Sequence, residues 1–363
     1  MYAPANSGHQ KAAFALDGAC RSLDREADVL TIDSLNYTNP ILEKVIIKTY
    51  LRMIKTTPEL WDYFYDNPEI VKKTERFRSL IHRANSAKLK TLIDSFRPNI
   101  ITCTQAFPCG VMADYKKINN LTTPLIGVLT DYLPHSYWIY ERIDKYIVPS
   151  EAARIKLMNQ GVDSDRVISL GIPIDPKFAD ELNKTQIITR LDLDPSKPII
   201  LIMGGGQGIG PIKKVVSRLD EVDLSFQILV VAGRNRSLRN QLKRKQSNFK
   251  KRVKVLGYVN NVDELMEIST LIVTKAGGLT TAEALAKKLP MIIINPIPGQ
   301  ETKNTEFLLK MGVAIKADDG AHLVRVTKKL LRDPSRLSQM RKSAKENGRP
   351  KAAIRIAEFV LGL

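Results

Sequence analysis

The stretch Thr274–Glu301, "TKAGGLTTAEALAKKLPMIIINPIPGQE", decides the architecture. An apolar run, "TLIVT" (270–274), breaks at Lys275-Ala276-Gly277-Gly278 and gives way to a strong helix former, "LTTAEALAKKL". A second apolar run, "MIIIN" (291–295), ends in Pro-Ile-Pro-Gly-Gln-Glu. A short β-branched run bounded by glycines reads as a buried strand over 270–274. Gly277 and Gly278 permit a tight turn and leave no side chain over the following helix, which Thr280 or Thr281 is expected to cap. The first N–H groups of that helix then face open space. A helix start of this kind is a ready anion site, with phosphate the usual occupant. An ordinary βα turn, with a glycine for economy, is the plain alternative.

The same alternation runs outward through the chain. Strand-like runs fall at 28–33, 99–104, 125–131, 145–150 and 167–173 in the first half. In the second half they fall at 199–206, 226–233, 253–259, 270–278, 291–296 and 313–317. Continuous apolar strands alternating with helical patterns mean parallel sheets covered on both faces, an α/β class. Two such sets read as two doubly wound domains, with "GIPIDPKF" (171–178) as the linker. Ligands in such sheets bind beyond the carboxyl ends of the strands. The informative loops are therefore "SGHQ" (7–10), "DYLPHSYW" (131–138), "GGGQGIG" (204–210), "GRN" (233–235), "GYV" (257–259), "KAGG" (275–278) and "PIPGQE" (296–301).

Composition narrows the class. A chain of 363 residues, 44% hydrophobic and 26% charged, suits two ordinary domains. No apolar run reaches the ~18 residues of a membrane span. Cys20, Cys103 and Cys109 form no CxxC pair, which points to a reducing, cytoplasmic setting without a zinc site. The net charge of +18 is lopsided. Residues 1–175 carry 22 Lys and Arg against 20 Asp and Glu, a balance of +2; residues 176–363 carry 34 against 18, a balance of +16. Ten basic residues lie between Arg234 and Lys254 with no acid among them. Such a cluster suggests an anionic partner: nucleic acid, a membrane surface or a phosphorylated substrate, with a merely solvated face as the alternative. Nucleic acid is not expected, because Phe249 is the sole aromatic residue in that stretch, a poor stacking platform.

Two motifs are set aside. "GGGQGIGP" is not GxGxxG, and the strand ending "VVAGRN" lacks the acid that holds an adenosine ribose. "LDLDP" (191–195) precedes a strand rather than ending one, so it reads as a polar loop and not as a metal-diphosphate pair. Of four histidines, His82 and His322 sit in charge-rich helical stretches, whereas His9 and His135 fall in strand-end loops.

Taken together, "ANSGHQKAAFAL", "LTDYLPHSYW" and "LGYV…TKAGGLTTAEAL…NPIPGQE" resemble the diacylglycerol glycosyltransferases. That family includes processive diacylglycerol glucosyltransferases and monogalactosyldiacylglycerol synthases. It is related to the peptidoglycan GlcNAc transferase that acts on a lipid intermediate. The resemblance implies a GT-B fold, two Rossmann-like domains facing a cleft. The division it implies is an acceptor domain over 1–172, a donor domain over 173–345, and a C-terminal helix within 346–363 packing back toward the first domain. It implies a UDP-sugar donor and no obligatory metal or cofactor. Gly257, Tyr258 and Val259 would frame the uracil, and Gly277 and Gly278, beside Lys275, would receive the diphosphate. Gly204, Gly205 and Gly206 would approach the phosphates from the other side, Glu283 would hold the ribose hydroxyls, and Gln300 and Glu301 the hexose. His9 matches the family's first-loop histidine as general base, with Asp131 and His135 as the alternatives; the first loop, "ANSGH", is less glycine-rich than is usual in the family.

The implied acceptor is a lipid, reached by a protein lying peripherally on the inner face of the cell membrane. The segment 39–68 offers Ile41, Leu42, Val45, Ile46 and Leu51 among Lys44, Lys48, Arg52 and Lys55, as an interfacial element or as a helix packed on the first sheet. A transferase using a polyprenyl-linked acceptor and a sugar-nucleotide epimerase are the rival enzyme readings; a basic nucleic-acid-binding protein is the rival of another class. Only six residues precede Ser7, where a first strand of about five or six residues is expected. The expectation is that residues 1–3 are the tail of that strand and that the natural protein starts earlier.

Overall fold

The apolar runs form two parallel sheets in the computed structural model, which describes residues 1–5, 7–41, 44, 45, 49 and 86–362. The chain divides into two units: Met1–Pro176 with Pro298–Lys303 and Lys351–Leu363, and Lys177–Ile297 with Asn304–Pro350. Most of the 39–68 segment lies outside the described residues, as does His82; within that segment Ile41 and Val45 are exposed.

The first unit runs α1 (Gly8–Leu23), α2 (Ser34–Thr38), α3 (Ser86–Phe96), β1 (Ile101–Cys103), α4 (Ala106–Asn119), β2 (Leu125–Val128), β3 (Lys145–Val148), α5 (Glu151–Asn159) and β4 (Val167–Ser169). Its strands lie in the order β1-β2-β3-β4, all parallel. Residues 1–2 extend this sheet beyond β1. Thr104 N–H donates to the Met1 carbonyl at 3.0 Å, and on the other side Tyr2 N–H donates to Ile32 O at 3.1 Å and Ser34 N–H to Tyr2 O at 2.9 Å. The run 28–33, read above as a strand, forms only the single parallel bridge of Tyr2 with Asp33. Two local causes stop the ladder on its carboxyl side. Asp33 caps α2 through Asn36 N–H, and the facing segment reaches Pro4, which has no N–H to pair.

The second unit runs α6 (Lys184–Arg190), β5 (Ile199–Met203), α7 (Ile212–Asp220), β6 (Gln227–Val231), α8 (Arg236–Arg244), β7 (Val253–Leu256), α9 (Val262–Glu267), β8 (Leu271–Thr274), α10 (Gly278–Ala286), β9 (Met291–Ile294), then α11 (Gln300–Lys310), β10 (Ala314–Ala317), α12 (Gly320–Leu331) and α13 (Pro334–Asn347). The strand order is β10-β9-β8-β5-β6-β7, parallel throughout. Ile200, Ile202, Ile228 and Val230 pack with Val216 and Leu219 of α7 in one core. Their alternates Leu201, Leu229 and Ile272 point to the opposite face and are equally inaccessible. Both faces are therefore covered, which is why these strands read as unbroken apolar runs.

The last helix, α14 (Ala352–Leu361), belongs to the first unit. Ala353, Ile356, Ala357 and Val360 pack with Ala15, Leu16 and Ala19 of α1 over Ile126, Val128 and Ile147. The alanines on both helices let the two backbones approach closely.

Candidate functional site

In the second sheet β5 and β8 are neighbours. Strands following β5 run outward on one side and those following β8 on the other, so the strand order reverses between them. A crevice forms beyond the carboxyl ends at such a point. Four of the loops singled out above follow β5, β6, β7 and β8 and are packed together here. The loop 204–210 folds on itself through Gly208 N–H to Gly205 O and Ile209 N–H to Gly204 O, each at 3.0 Å. Gly208 has φ +61°, and a Cβ there would stand 2.0 Å from the Ala232 carbonyl oxygen, so the β6 loop closes against it. Arg234 N–H then donates to Gly206 O at 2.9 Å.

Side chains border this backbone on two flanks. Lys275 Cε is the nearest atom to a Cβ built at Gly205, at 3.7 Å; the Tyr258 ring is nearest at Gly206, at 3.9 Å. The Arg234 guanidinium lies over the Tyr258 ring, 4.8 Å from its centroid. Tyr258 is exposed, with Gly257 and Val259 half-buried beside it. Arg234 stands in the sequence both as the first member of the basic cluster and within "GRN", directly after a strand.

The turn into α10 differs from the expectation in one respect. Its N-cap is Gly277, with no side-chain cap. Thr281 lies inside the helix and donates its hydroxyl backward to Gly277 O at 2.9 Å and Gly278 O at 3.1 Å. A glycine cap dispenses with the side-chain acceptor, and the positive end of the helix dipole stays open. Glu283, two residues past Thr281, is 6% exposed. Gln300 and Glu301 open α11 behind Gly299 at φ +85°, with Glu301 buried. Their segment, Pro298–Lys303, groups with the first unit.

His9 occupies the matching position of the first sheet. The 32–34 segment and β1 flank residues 1–2, so the order reverses there too. Ser7 caps α1 by accepting from Gln10 N–H, which starts the helix and sets His9 in its first turn. His9 Nδ1 is 3.0 Å from Thr104 O and 2.8 Å from Thr130 Oγ1. A carbonyl only accepts, so Nδ1 carries the hydrogen and Nε2 keeps the lone pair. Burial pushes the His9 pKa below its ordinary 6.5, opposed by the charge of Asp131 and the Thr104 carbonyl. The His135 ring stands edge-on to Tyr137, with centroids 5.8 Å apart, and tilted to Trp138 at 6.2 Å. Thr104 and Thr130 escaped sequence reasoning; one ends a strand run and the other stands next to last in one, but nothing local marks them as partners of a residue 95 or 121 positions away. Among the described residues no three His, Cys, Asp or Glu side chains are grouped to hold a metal ion, and no helix is long and apolar enough to cross a membrane.

Two α/β units of this kind, each with its loops gathered at a strand-order reversal, define a protein of the GT-B class. Solved structures bear out the fold. Acinetobacter baumannii MurG superposes with a TM-score of 0.65 at 13% identity, covering 100% of this chain and 99% of that one. The S. aureus MnaA-UDP structure superposes with a TM-score of 0.64 at 16% identity, covering 100% and 96%. Within that class the sequence is more specific. Residues 9–174 match the family profile described as monogalactosyldiacylglycerol (MGDG) synthase, and residues 199–356 match the glycosyltransferase family 28 C-terminal domain. A processive diacylglycerol beta-glucosyltransferase of Bacillus mycoides (strain KBAB4) is 30% identical over 356 residues, 98% of this chain and 90% of that one. A Bacillus cereus (strain B4264) protein of the same name is 31% identical over the same shares. The chain belongs to the diacylglycerol glycosyltransferase family.

Proposed function

We propose that the protein moves a hexose from a UDP-sugar, with inversion at the anomeric carbon, to diacylglycerol or a glycosyldiacylglycerol on the inner face of the cell membrane. The observation that carries this reading is the convergence of the β5, β6, β7 and β8 loops on an uncapped helix start at the strand-order reversal. Gly277, Gly278 and the first N–H groups of α10 take the diphosphate, with Gly204, Gly205, Gly206 and Lys275 on its other side. Glu283 accepts from the ribose hydroxyls, Gly257, Tyr258 and Val259 frame the uracil, and Gln300 with Glu301 reads the hexose.

The chemistry follows from these groups. His9 Nε2 takes the proton of the acceptor hydroxyl as its oxygen attacks the anomeric carbon. The bond to the diphosphate breaks, and helix N–H groups stabilise the charge that develops on UDP without an obligatory metal. The "beta" in the relatives' name supports inversion, because the sugar of UDP-glucose is α-linked. Asp131 holds His9 by charge, and either Asp131 or His135 is the base if His9 is not.

Incubation with labelled UDP-glucose or UDP-galactose and diacylglycerol, followed by separation of lipids, tests the reading. A labelled β-glycolipid is the expected product. Free sugar without lipid label, or transfer only to a polyprenyl-linked acceptor, would overturn it.

A further inference from the structure

Around the KAGG turn, three successive carbonyl oxygens are occupied from within the protein. Lys275 O accepts from Gly277 N–H at 2.9 Å. Gly277 O accepts from the Thr281 N–H at 3.0 Å and its hydroxyl at 2.9 Å. Between them, Ala276 O accepts from the Asn304 side-chain amide at 3.0 Å, a bond made 28 positions away in sequence. Ala276 and Asn304 are both wholly inaccessible, so water cannot replace that amide.

The geometry of the turn depends on this outside hold. Two adjacent glycines permit many backbone conformations, and the cap has no side chain to select one. The peptide group joining Ala276 to Gly277 is rigid and planar, so fixing its oxygen fixes its orientation. With all three carbonyls tied back, the donors of Gly278 and Leu279 are what the turn presents to an incoming anion. A carbonyl swung toward that anion would repel it.

We propose that Asn304 is a positioning residue for the diphosphate: its amide locks the Ala276 carbonyl away from the anion and so holds the start of α10 in its receiving geometry. This rests on the UDP-sugar reading above. The test measures binding of UDP and of uridine to the full chain and to Asn304→Ala and Asn304→Leu. UDP affinity is expected to fall about tenfold, the scale of one buried hydrogen bond acting on a charged ligand. Uridine affinity, which makes no use of the turn, is expected to stay within about twofold. Equal losses for both ligands would reduce Asn304 to a packing role, and no loss for either would overturn the proposal. Unmutated protein that fails to bind UDP would take down the donor reading and this inference with it. Slow exchange of the Asn304 side-chain amide hydrogens in the unmutated protein, free and UDP-bound, is the second expected result. Fast exchange in the free protein would overturn the lock even where the variants do not fold.

Discussion

At the scale of the residue, His9 combines a fixed hydrogen and a free lone pair. The Thr104 carbonyl orients the ring through Nδ1, and burial keeps it neutral below its ordinary pKa of 6.5. His9→Ala is expected to lower turnover by about 10²–10⁴ while UDP binding stays near normal. Unchanged turnover would move the base to Asp131 or His135. The acid limb of the turnover–pH profile should fall below 6.5. Asp131→Asn removes the charge that raises the His9 pKa, so that limb should move still lower; an upward shift would refute the pairing. The stability sign agrees. A histidine whose folded pKa is depressed contributes stability above 6.5 that is lost as pH falls through the folded value. Glu283→Ala is expected to raise the UDP-sugar KM about 10- to 100-fold with kcat little changed, because ribose contacts persist from ground state to transition state. A fall in kcat at constant KM would dismiss the ribose role.

At the scale of the element, strands were legible because burial on both faces leaves a plain apolar run. The run at 28–33 misled because its apolar residues lie in a connection that makes one bridge and then caps a helix. The cap of α10 misled for a different reason. Thr281 has the right chemistry for an N-cap, but the turn spends Gly277 there and puts the threonine inside the helix. The 204–210 loop gives a test of close approach. Gly205 and Gly208 both have positive φ, +68° and +61°, yet only Gly208 faces backbone within bond-like distance of a Cβ. Gly205→Ala is expected to cost about 1–2 kcal/mol, the left-handed penalty alone. Gly208→Ala should cost more, because Ala232 must also shift. Urea unfolding of the two variants compares them, and equal costs would show that the β6 loop yields freely.

At the scale of the molecule, the last helix stabilises the first sheet. Ile356 is fully buried against α1, Ile126 and Ile147, so Ile356→Ala should cost about 2–5 kcal/mol. Hydrogen exchange should then quicken at Ile126–Val128 and stay slow at Leu201–Met203. Loss of protection in the second sheet instead would contradict the division into units. The basic cluster is expected to bind anionic vesicles with an affinity that falls as salt rises. Arg236, Arg239, Lys243 and Arg244 are exposed on α8 above buried Leu238 and Leu242, and each contributes about 1 kcal/mol near such a surface. Equal, salt-insensitive binding to neutral vesicles would rule charge out.

The sequence by itself determined the α/β class, ten strand positions to within a few residues, and the family, since each depends on local pattern: apolar runs, glycines at strand ends, and motifs in fixed order. Only the tertiary structure decided how those pieces are used. Part of the basic cluster turned out to be spent internally, Arg252 on Asp192 and Lys251 on the carbonyls of Val222 and Leu224. The partners of His9, the hold of Asn304 on Ala276 and the seat of α14 on α1 were equally out of sequence's reach. The physical reason is common to all of them. A strand or a turn is set by residues a few positions apart, whereas a buried polar group is satisfied by whatever the packed chain brings within 3 Å, from any distance along it.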